Sequence, residues 1–132
     1  MANTVPLRIL IIDDDAQVQK SLAFVLRMTG HEVLAATTAA QGLALCAAQP
    51  PQLVFIDMVM PGGLGADAVA DLRALDPLLY IVAMSGSVEG GHNNLLAQAR
   101  ANGADETLGK PFDFDQVERL LTEVTARAAA RD

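Results

Sequence analysis

The chain has 132 residues, of which 52% are hydrophobic and 19% are charged. This length suits one domain with one core; the composition is too apolar for a disordered chain, and charges interrupt every long apolar run, which excludes a membrane span. Sixteen acidic against nine basic residues give a formal net charge of −7, which argues against direct binding to nucleic acid or to an anionic membrane.

Strands and helices are predicted to alternate along the chain, beginning with a continuous apolar run at residues 7–12. Continuous runs suit strands that are buried on both faces of a parallel sheet. Asp15 is the expected N-cap of the first helix, which carries an apolar stripe and ends at Gly30. The later predicted elements are, in order, a strand at 32–36, a helix at 39–48, a strand at 53–56, a helix at 64–75, a strand at 78–84, a helix at 94–102, a strand at 105–109 and a helix from 113 to about 127.

Five repeats of strand and helix predict an α/β fold with a doubly wound parallel sheet. In such a sheet the crossovers are right-handed, and ligands bind beyond the carboxyl ends of the strands at the topological switch point. We therefore expect any functional site at that edge. The whole chain, residues 1–132, is predicted to form a single domain with its core at about 7–125, and residues 126–132 are expected to fray or to begin a linker.

Cysteine content and the N-terminal sequence bear on the cellular compartment. The single Cys46 excludes an internal disulfide and is interpreted as a small apolar residue near the core. The first eight residues, MANTVPLR, lack the long apolar stretch of a secretory signal. We therefore expect a cytoplasmic protein. His31 and His92 have no cysteine or histidine at ligand spacing and are predicted to be surface residues.

Acidic, hydroxyl and amine side chains follow the predicted strands at the points where the strands end. Two carboxylates about 5 Å apart repel by about 3 kcal/mol at an effective dielectric constant near 20, so an acid cluster calls for a neutralising cation. Mg²⁺ suits such a site because it prefers oxygen ligands and is commonly held by one or two carboxylates together with phosphoryl oxygens. The residues that follow the strands are Asp13, Asp14, Asp15, Asp57, Ser85 and Lys110.

This set of side chains predicts phosphoryl transfer. That reaction requires positioning, charge neutralisation and an aligned nucleophile. Asp57 is the best candidate for the nucleophile because it directly follows the apolar run at 53–56, so the sheet would hold its backbone. Lys110 can bind one phosphoryl oxygen, and the hydroxyl of Ser85 can donate to another. The remaining acids would bind the metal ion.

Taken together, these motifs resemble the receiver domain of two-component response regulators, in particular single-domain receivers of the chemotaxis type. The resemblance extends from about residue 7 to residue 124. It implies a flavodoxin-like (βα)5 fold with strand order 2-1-3-4-5. It also implies a signalling protein that catalyses only its own phosphorylation and dephosphorylation. The segments that carry the resemblance are 11–15, 54–62, 81–86, 103–105 and 110–112.

The resemblance implies a role for each acid at the strand ends. Asp57 would accept a phosphoryl group from a histidine kinase or a histidine phosphotransfer protein. Asp13 and Asp14, together with Asp57 and the backbone carbonyl of Val59, would bind Mg²⁺, for which Mn²⁺ could substitute. The output would be a switched surface that binds another protein, with no direct contact to nucleic acid or membrane.

The resemblance also assigns the phosphoryl contacts to Ser85 and Lys110, and it implies a cis peptide bond before Pro111. Thr107 departs from the family pattern, because many receivers carry at that position an aromatic residue that couples the hydroxyl residue to the output surface. The segment 87–94 is longer than usual in the family and has the composition of a flexible loop. We hypothesise that this loop carries the conformational signal instead.

Two other interpretations remain open. A magnesium-dependent phosphatase of the haloacid-dehalogenase type also forms an aspartyl phosphate. Its motif requires threonine or valine at the position that Gln17 occupies in the segment 13–17, and the chain has no room for a cap domain. Because Thr107 departs from the family pattern, a pseudoreceiver that signals without phosphorylation is the second alternative. Every acidic, hydroxyl and lysine position of a phosphorylated receiver is present, which argues against it.

Overall fold

The computed structural model describes residues 6–59, 65–86, 92–110 and 112–131. Within these residues, five strands alternate with five helices, in the order predicted from the sequence. The strands are β1 (Arg8–Ile12), β2 (Glu32–Ala36), β3 (Leu53–Asp57), β4 (Tyr80–Gly86) and β5 (Glu106–Lys110). The helices are α1 (Ala16–Met28), α2 (Ala39–Ala48), α3 (Gly65–Leu75), α4 (His92–Ala101) and α5 (Phe114–Arg131).

The five strands form one parallel sheet in the order β2-β1-β3-β4-β5, which confirms the predicted fold and strand order. Ile12 pairs with Ala36 on one side and with Ile56 on the other, and Ser85 pairs with Gly109. This register aligns the strand ends, so the sheet has a carboxyl-end edge, where the strands finish, and an amino-end edge, where they begin. Asp13, Asp14, Asp57 and Lys110 follow or end strands at the carboxyl-end edge, and Ser85 lies one residue before the end of β4.

The core lies on both faces of the sheet, which explains why the central strands have continuous apolar sequences. Successive side chains of a strand point to opposite faces. In β1, Ile9 and Ile11 pack with the buried residues of α1 and α5, whereas Leu10 and Ile12 pack with those of α2 and α3. All four are fully buried. The sheet is therefore held rigidly between two helical layers.

Side-chain caps define where the helices begin. The carboxylate of Asp15 accepts the N–H groups of Gln17 and Val18 at 2.9 and 3.3 Å, which confirms it as the N-cap of α1. Asp113 and Gln116 exchange side-chain-to-backbone bonds at 3.0 Å in a reciprocal capping arrangement. The helix that they begin, α5, continues to Arg131, past the predicted end. Within the described ranges, none of the helices is long and apolar enough to cross a membrane.

His31 is buried, so the prediction of a surface histidine was wrong at this position. Its side chain is 5% exposed, and its Nδ1 accepts the backbone N–H of Leu7 at 3.0 Å just before β1 begins. Burial lowers the pKa of the imidazole. The contact joins residues 24 positions apart, which local sequence patterns do not reveal. Cys46 is buried as predicted, whereas the side chain of His92 lies outside the described part of the structure.

Candidate functional site

Three carboxylates meet at the carboxyl-end edge of the sheet. Asp13 and Asp14 follow β1, and Asp57 is the last residue of the adjacent β3. Oxygen atoms of the three side chains lie within 4.8 Å of one another. Asp13 is 0% and Asp57 is 5% exposed, whereas Asp14 is exposed. The cluster therefore has two buried acids and one that faces solvent.

The ammonium group of Lys110 bridges the two buried acids. Lys110 ends β5, two strands away from β3, and its Nζ lies 2.7 Å from Oδ2 of Asp13 and 3.1 Å from Oδ2 of Asp57. Its side chain is 18% exposed. One positive charge among three carboxylates leaves the cluster with a surplus of negative charge, which favours a further cation.

The second oxygen of each buried carboxylate is held by the loop that follows it. Oδ1 of Asp57 accepts the N–H of Val59 at 2.9 Å, and Oδ1 of Asp13 accepts the N–H of Asp15 at 2.8 Å. Each carboxylate is thus oriented with one oxygen toward its own loop and the other toward Lys110. These bonds restrict both side chains before any ligand binds.

Burial and neighbouring charges both shift the pKa values of Asp57 and Lys110. Burial raises the pKa of Asp57, and the nearby Asp13 adds to this, although the Val59 N–H and Lys110 oppose it. For Lys110, burial by itself lowers the pKa, but the hydrogen bonds and charges of Asp13 and Asp57 outweigh burial and raise it. The lysine therefore stays protonated beside Asp57, whereas burial makes the charged form of the Asp57 carboxyl less favourable and raises its pKa.

The donor set fits a hard divalent cation. It consists of carboxylate oxygens alone, without sulfur or imidazole, and its exposed member, Asp14, leaves room for water ligands. The N–H bond from Val59 brings residue 59 next to the carboxylate of Asp57. The backbone carbonyl of Val59 as a ligand stays a prediction, as does the identity of the ion.

Ser85 lies at the same edge, near the end of β4, and is fully buried. It comes directly after Met84, which pairs with Asp57 across β3 and β4. Its hydroxyl donates to the backbone carbonyl of Gly86 at 3.2 Å. A contact with a phosphoryl group would require this hydroxyl to change partner, so the role of Ser85 stays a prediction.

Thr107 is joined to α4 by a neighbouring arginine. Nη2 of Arg100 donates to Oγ1 of Thr107 at 3.4 Å and forms an ion pair with Glu106 at 3.0 Å. These contacts connect the end of α4 to β5, where the family pattern would place an aromatic residue. Pro111, with its predicted cis bond, and residues 87–91 of the predicted signalling loop lie outside the described residues; α4 already begins at His92.

Sequence patterns do not identify Gln19, whose side chain bonds to the acid loop. Its Nε2 donates to the backbone carbonyl of Asp13 at 2.8 Å and to that of Ala36 at 2.6 Å. One local hint exists, because Gln19 lies four residues after the N-cap Asp15 and so one helical turn away from the acids. The bond to Ala36 depends on the pairing of β1 with β2 and has no local signal.

Comparison with known proteins supports the chemistry suggested by this geometry. A family model described as the response regulator receiver domain matches residues 9–122. The transcriptional regulatory protein KdpE of Mycobacterium tuberculosis is 32% identical over 127 residues, which cover 94% of this chain and 54% of that protein. The chain thus spans about half the length of the curated relatives it matches.

Solved structures agree with this similarity. The receiver domain of NtrX from Brucella abortus is 28% identical, with a TM-score of 0.81 over 89% of this chain and 98% of that one. A CheY-like response regulator receiver domain protein from Methanospirillum hungatei is 25% identical, with a TM-score of 0.81 over 93% of this chain and 99% of that one. These similarities do not favour the phosphatase or the pseudoreceiver that the sequence left open.

Proposed function

Because the chain belongs to the response regulator receiver domain family, we propose that Asp57 accepts a phosphoryl group from a histidine kinase or a histidine phosphotransfer protein. One observation carries this proposal: Asp57 lies in the three-acid cluster with Oδ2 only 3.1 Å from the ammonium group of Lys110. A carboxylate in this position has a nearby cation for the incoming phosphoryl oxygens, and its backbone is held by the sheet.

In the proposed reaction, a carboxylate oxygen of Asp57 attacks the phosphorus atom and forms the P–O bond of an acyl phosphate. The phosphorus–nitrogen bond of the donor phosphohistidine breaks, and its electron pair stays on the imidazole ring. Lys110 would then bind a phosphoryl oxygen, and Ser85 would donate its hydroxyl to another. Hydrolysis of the acyl phosphate returns the carboxylate of Asp57, so the chain acts only on itself and has no separate substrate to convert.

Asp13, Asp14 and Asp57, with the carbonyl of Val59, would hold Mg²⁺, and Mn²⁺ could take its place. When bound, the ion neutralises the negative charge that the carboxylates and the phosphoryl oxygens bring together. The surplus of carboxylates over ammonium groups in the cluster supports this assignment. Two of the acids are already oriented by hydrogen bonds from their own loops, which reduces the cost of binding the ion.

The output is proposed to be the binding of another protein. Phosphorylation would change a surface of the domain, and a partner would recognise the changed form. Arg100, which contacts Thr107 and Glu106, belongs to the face that α4 and β5 form and could move with it. Signalling by the segment 87–94 and a cytoplasmic location stay predictions.

Phosphorylation with a small donor tests the proposal. The wild-type chain is incubated with acetyl phosphate and Mg²⁺, and the intact mass is measured. We expect one added phosphoryl group, lost in Asp57→Asn, which keeps the size of the side chain and removes the nucleophile. Asp71→Asn is the matched control, because Asp71 is an exposed carboxylate on α3, and it should be labelled like the wild type.

Labelling of Asp57→Asn at wild-type stoichiometry would show that another residue is the acceptor. A wild-type chain that is not labelled, and whose conformation does not change with beryllofluoride and Mg²⁺, would instead favour the pseudoreceiver. The two results are distinct, because the first contradicts only the choice of residue and the second contradicts the reaction.

A further inference from the structure

The side chain of Gln19 joins the ends of two strands beside the acid cluster. Gln19 lies in α1, one turn from its start, and its Nε2 donates to the carbonyls of Asp13 and Ala36 at 2.8 and 2.6 Å. The carbonyl of Ala36 also accepts the N–H of Asp13 at 3.0 Å. A single amide group thus uses both of its hydrogens to hold the backbone where β1 and β2 end.

These bonds complete the set that immobilises Asp13. One carboxylate oxygen accepts the N–H of Asp15, the other accepts from Lys110, and the backbone carbonyl accepts from Gln19. Asp13 is 0% exposed, so water cannot easily replace a missing partner. Of these three contacts, only the bond from Gln19 leaves the carboxylate itself untouched and acts on the backbone that directs it.

We propose that Gln19 is a positioning residue for the metal site: it holds the backbone of Asp13 so that the carboxylate stays directed at those of Asp14 and Asp57. This inference rests on the proposed function, because it assumes that the cluster binds Mg²⁺. Mg²⁺ demands nearly ideal octahedral geometry with bonds of about 2.0–2.1 Å, so a small displacement of one ligand is costly. Groups that orient metal ligands commonly change metal affinity by about 10- to 100-fold.

The test is Gln19→Met, which keeps the length of the side chain and its neutral charge but removes the two donated bonds. Neutrality matters, because a glutamate or lysine at this position would change Mg²⁺ affinity through its own charge. Mg²⁺ affinity of the full chain is measured by isothermal titration calorimetry, and the free energy of unfolding is measured in urea. We expect Gln19→Met to bind Mg²⁺ at least about tenfold more weakly than the wild type.

Gln52→Met is the matched control. Gln52 also bonds the backbone of β1 through its side chain, but at the amino-end edge, where its Oε1 accepts the N–H of Arg8 at 2.7 Å. Gln19→Met loses bonds to the backbone just after β1 and at the end of β2, and Gln52→Met loses one at the start of β1, so both variants should lose stability. Only Gln19→Met should lose Mg²⁺ affinity. If Gln19→Met does not fold, Gln19→Ala, which removes the amide without placing a long apolar side chain against the two carbonyls, is compared with Gln52→Ala in the same way.

Three results would overturn the inference, and they have different meanings. Wild-type affinity in the Gln19 variant would show that its bonds are structural only. Equal losses of affinity in the Gln19 and Gln52 variants would show a general loosening of β1 instead of a local positioning effect. A wild-type chain that binds no Mg²⁺ would contradict the proposed metal site, and the positioning role with it.

Discussion

The charged side chains at the two edges of the sheet differ in how their charges are paired. At the amino-end edge, the guanidinium group of Arg73 forms an ion pair with Asp105 at 2.7 Å, and Asp105 also accepts the N–H of Ile81 at 2.9 Å. The charges of this pair are matched, because one carboxylate meets one guanidinium group. The other acceptors of Arg73 are the backbone carbonyls of Asp76, Pro77, Leu79 and Gly103.

At the carboxyl-end edge the charges are not matched. Asp13 and Asp57 share the ammonium group of Lys110, Asp14 adds a third carboxylate, and two of the three acids are buried. Both edges are polar, but among the described residues the acid cluster at the carboxyl-end edge has more carboxylates than ammonium groups, whereas the pair of Arg73 and Asp105 has one charge of each sign. We infer that the network around Arg73 stabilises the fold, whereas the acid cluster at the carboxyl-end edge is arranged to bind a cation and to react.

The largest effect on stability is expected at the matched edge. Arg73→Met should lower the free energy of unfolding by about 3 kcal/mol, because it leaves the partly buried carboxylate of Asp105 and several carbonyls without their donor. Urea denaturation measures this. The exposed Arg27→Met on α1 is the control and should change stability little. Mg²⁺ affinity should stay at the wild-type value, and a loss of affinity in Arg73→Met would show that the edges are not independent.

Mg²⁺ should stabilise the chain through the unmatched edge. An ion that binds only the folded state adds about 2.7 kcal/mol when its concentration is 100 times its dissociation constant. Thermal melts with and without Mg²⁺ measure the shift. It should disappear in Asp14→Ala and persist in Asp71→Ala, whose carboxylate lies on α3. Persistence of the full shift in Asp14→Ala would remove Asp14 from the metal site.

The smallest effect is a dependence of stability on pH, and its sign differs between the edges. Burial lowers the pKa of His31, so below about pH 6.5 the unfolded chain binds more protons than the folded one, and stability falls as the pH falls. Burial raises the pKa of Asp57, so as the pH rises above 3.8 the folded chain binds more protons than the unfolded one, and stability falls as the pH rises through the folded pKa.

His31→Asn isolates the contribution of the amino-end edge. The asparagine oxygen can accept the N–H of Leu7 as Nδ1 does, but it does not titrate. Urea denaturation between about pH 5 and 7 should show a shallower loss of stability in this variant than in the wild type. The difference in slope is at most about 1.4 kcal/mol per pH unit, the limit for one proton. Parallel pH profiles would mean that the pKa of His31 is the same in the folded and the unfolded chain.

The sequence by itself determined the order of the elements and the place of the site. Parallel strands buried on both faces have continuous apolar sequences, and that pattern located β1, β3 and β4 within a few residues. Because all parallel strands end at one edge, the positions of Asp13, Asp57 and Lys110 at the ends of predicted strands were enough to predict that they lie together. Their contacts in the structure confirm this. The cap at Asp15 was equally local, since it bonds residues two and three positions away.

Only the tertiary structure decided which distant groups meet. The buried His31 accepts the N–H of Leu7, the bond from Gln19 to Ala36 crosses from α1 to β2, and Arg73 bonds Gly103 across 30 residues. Periodicity in a sequence encodes which face of an element is buried, because that property repeats along the element. Hydrogen bonds between separate elements depend on their register and packing, and no local pattern contains that information.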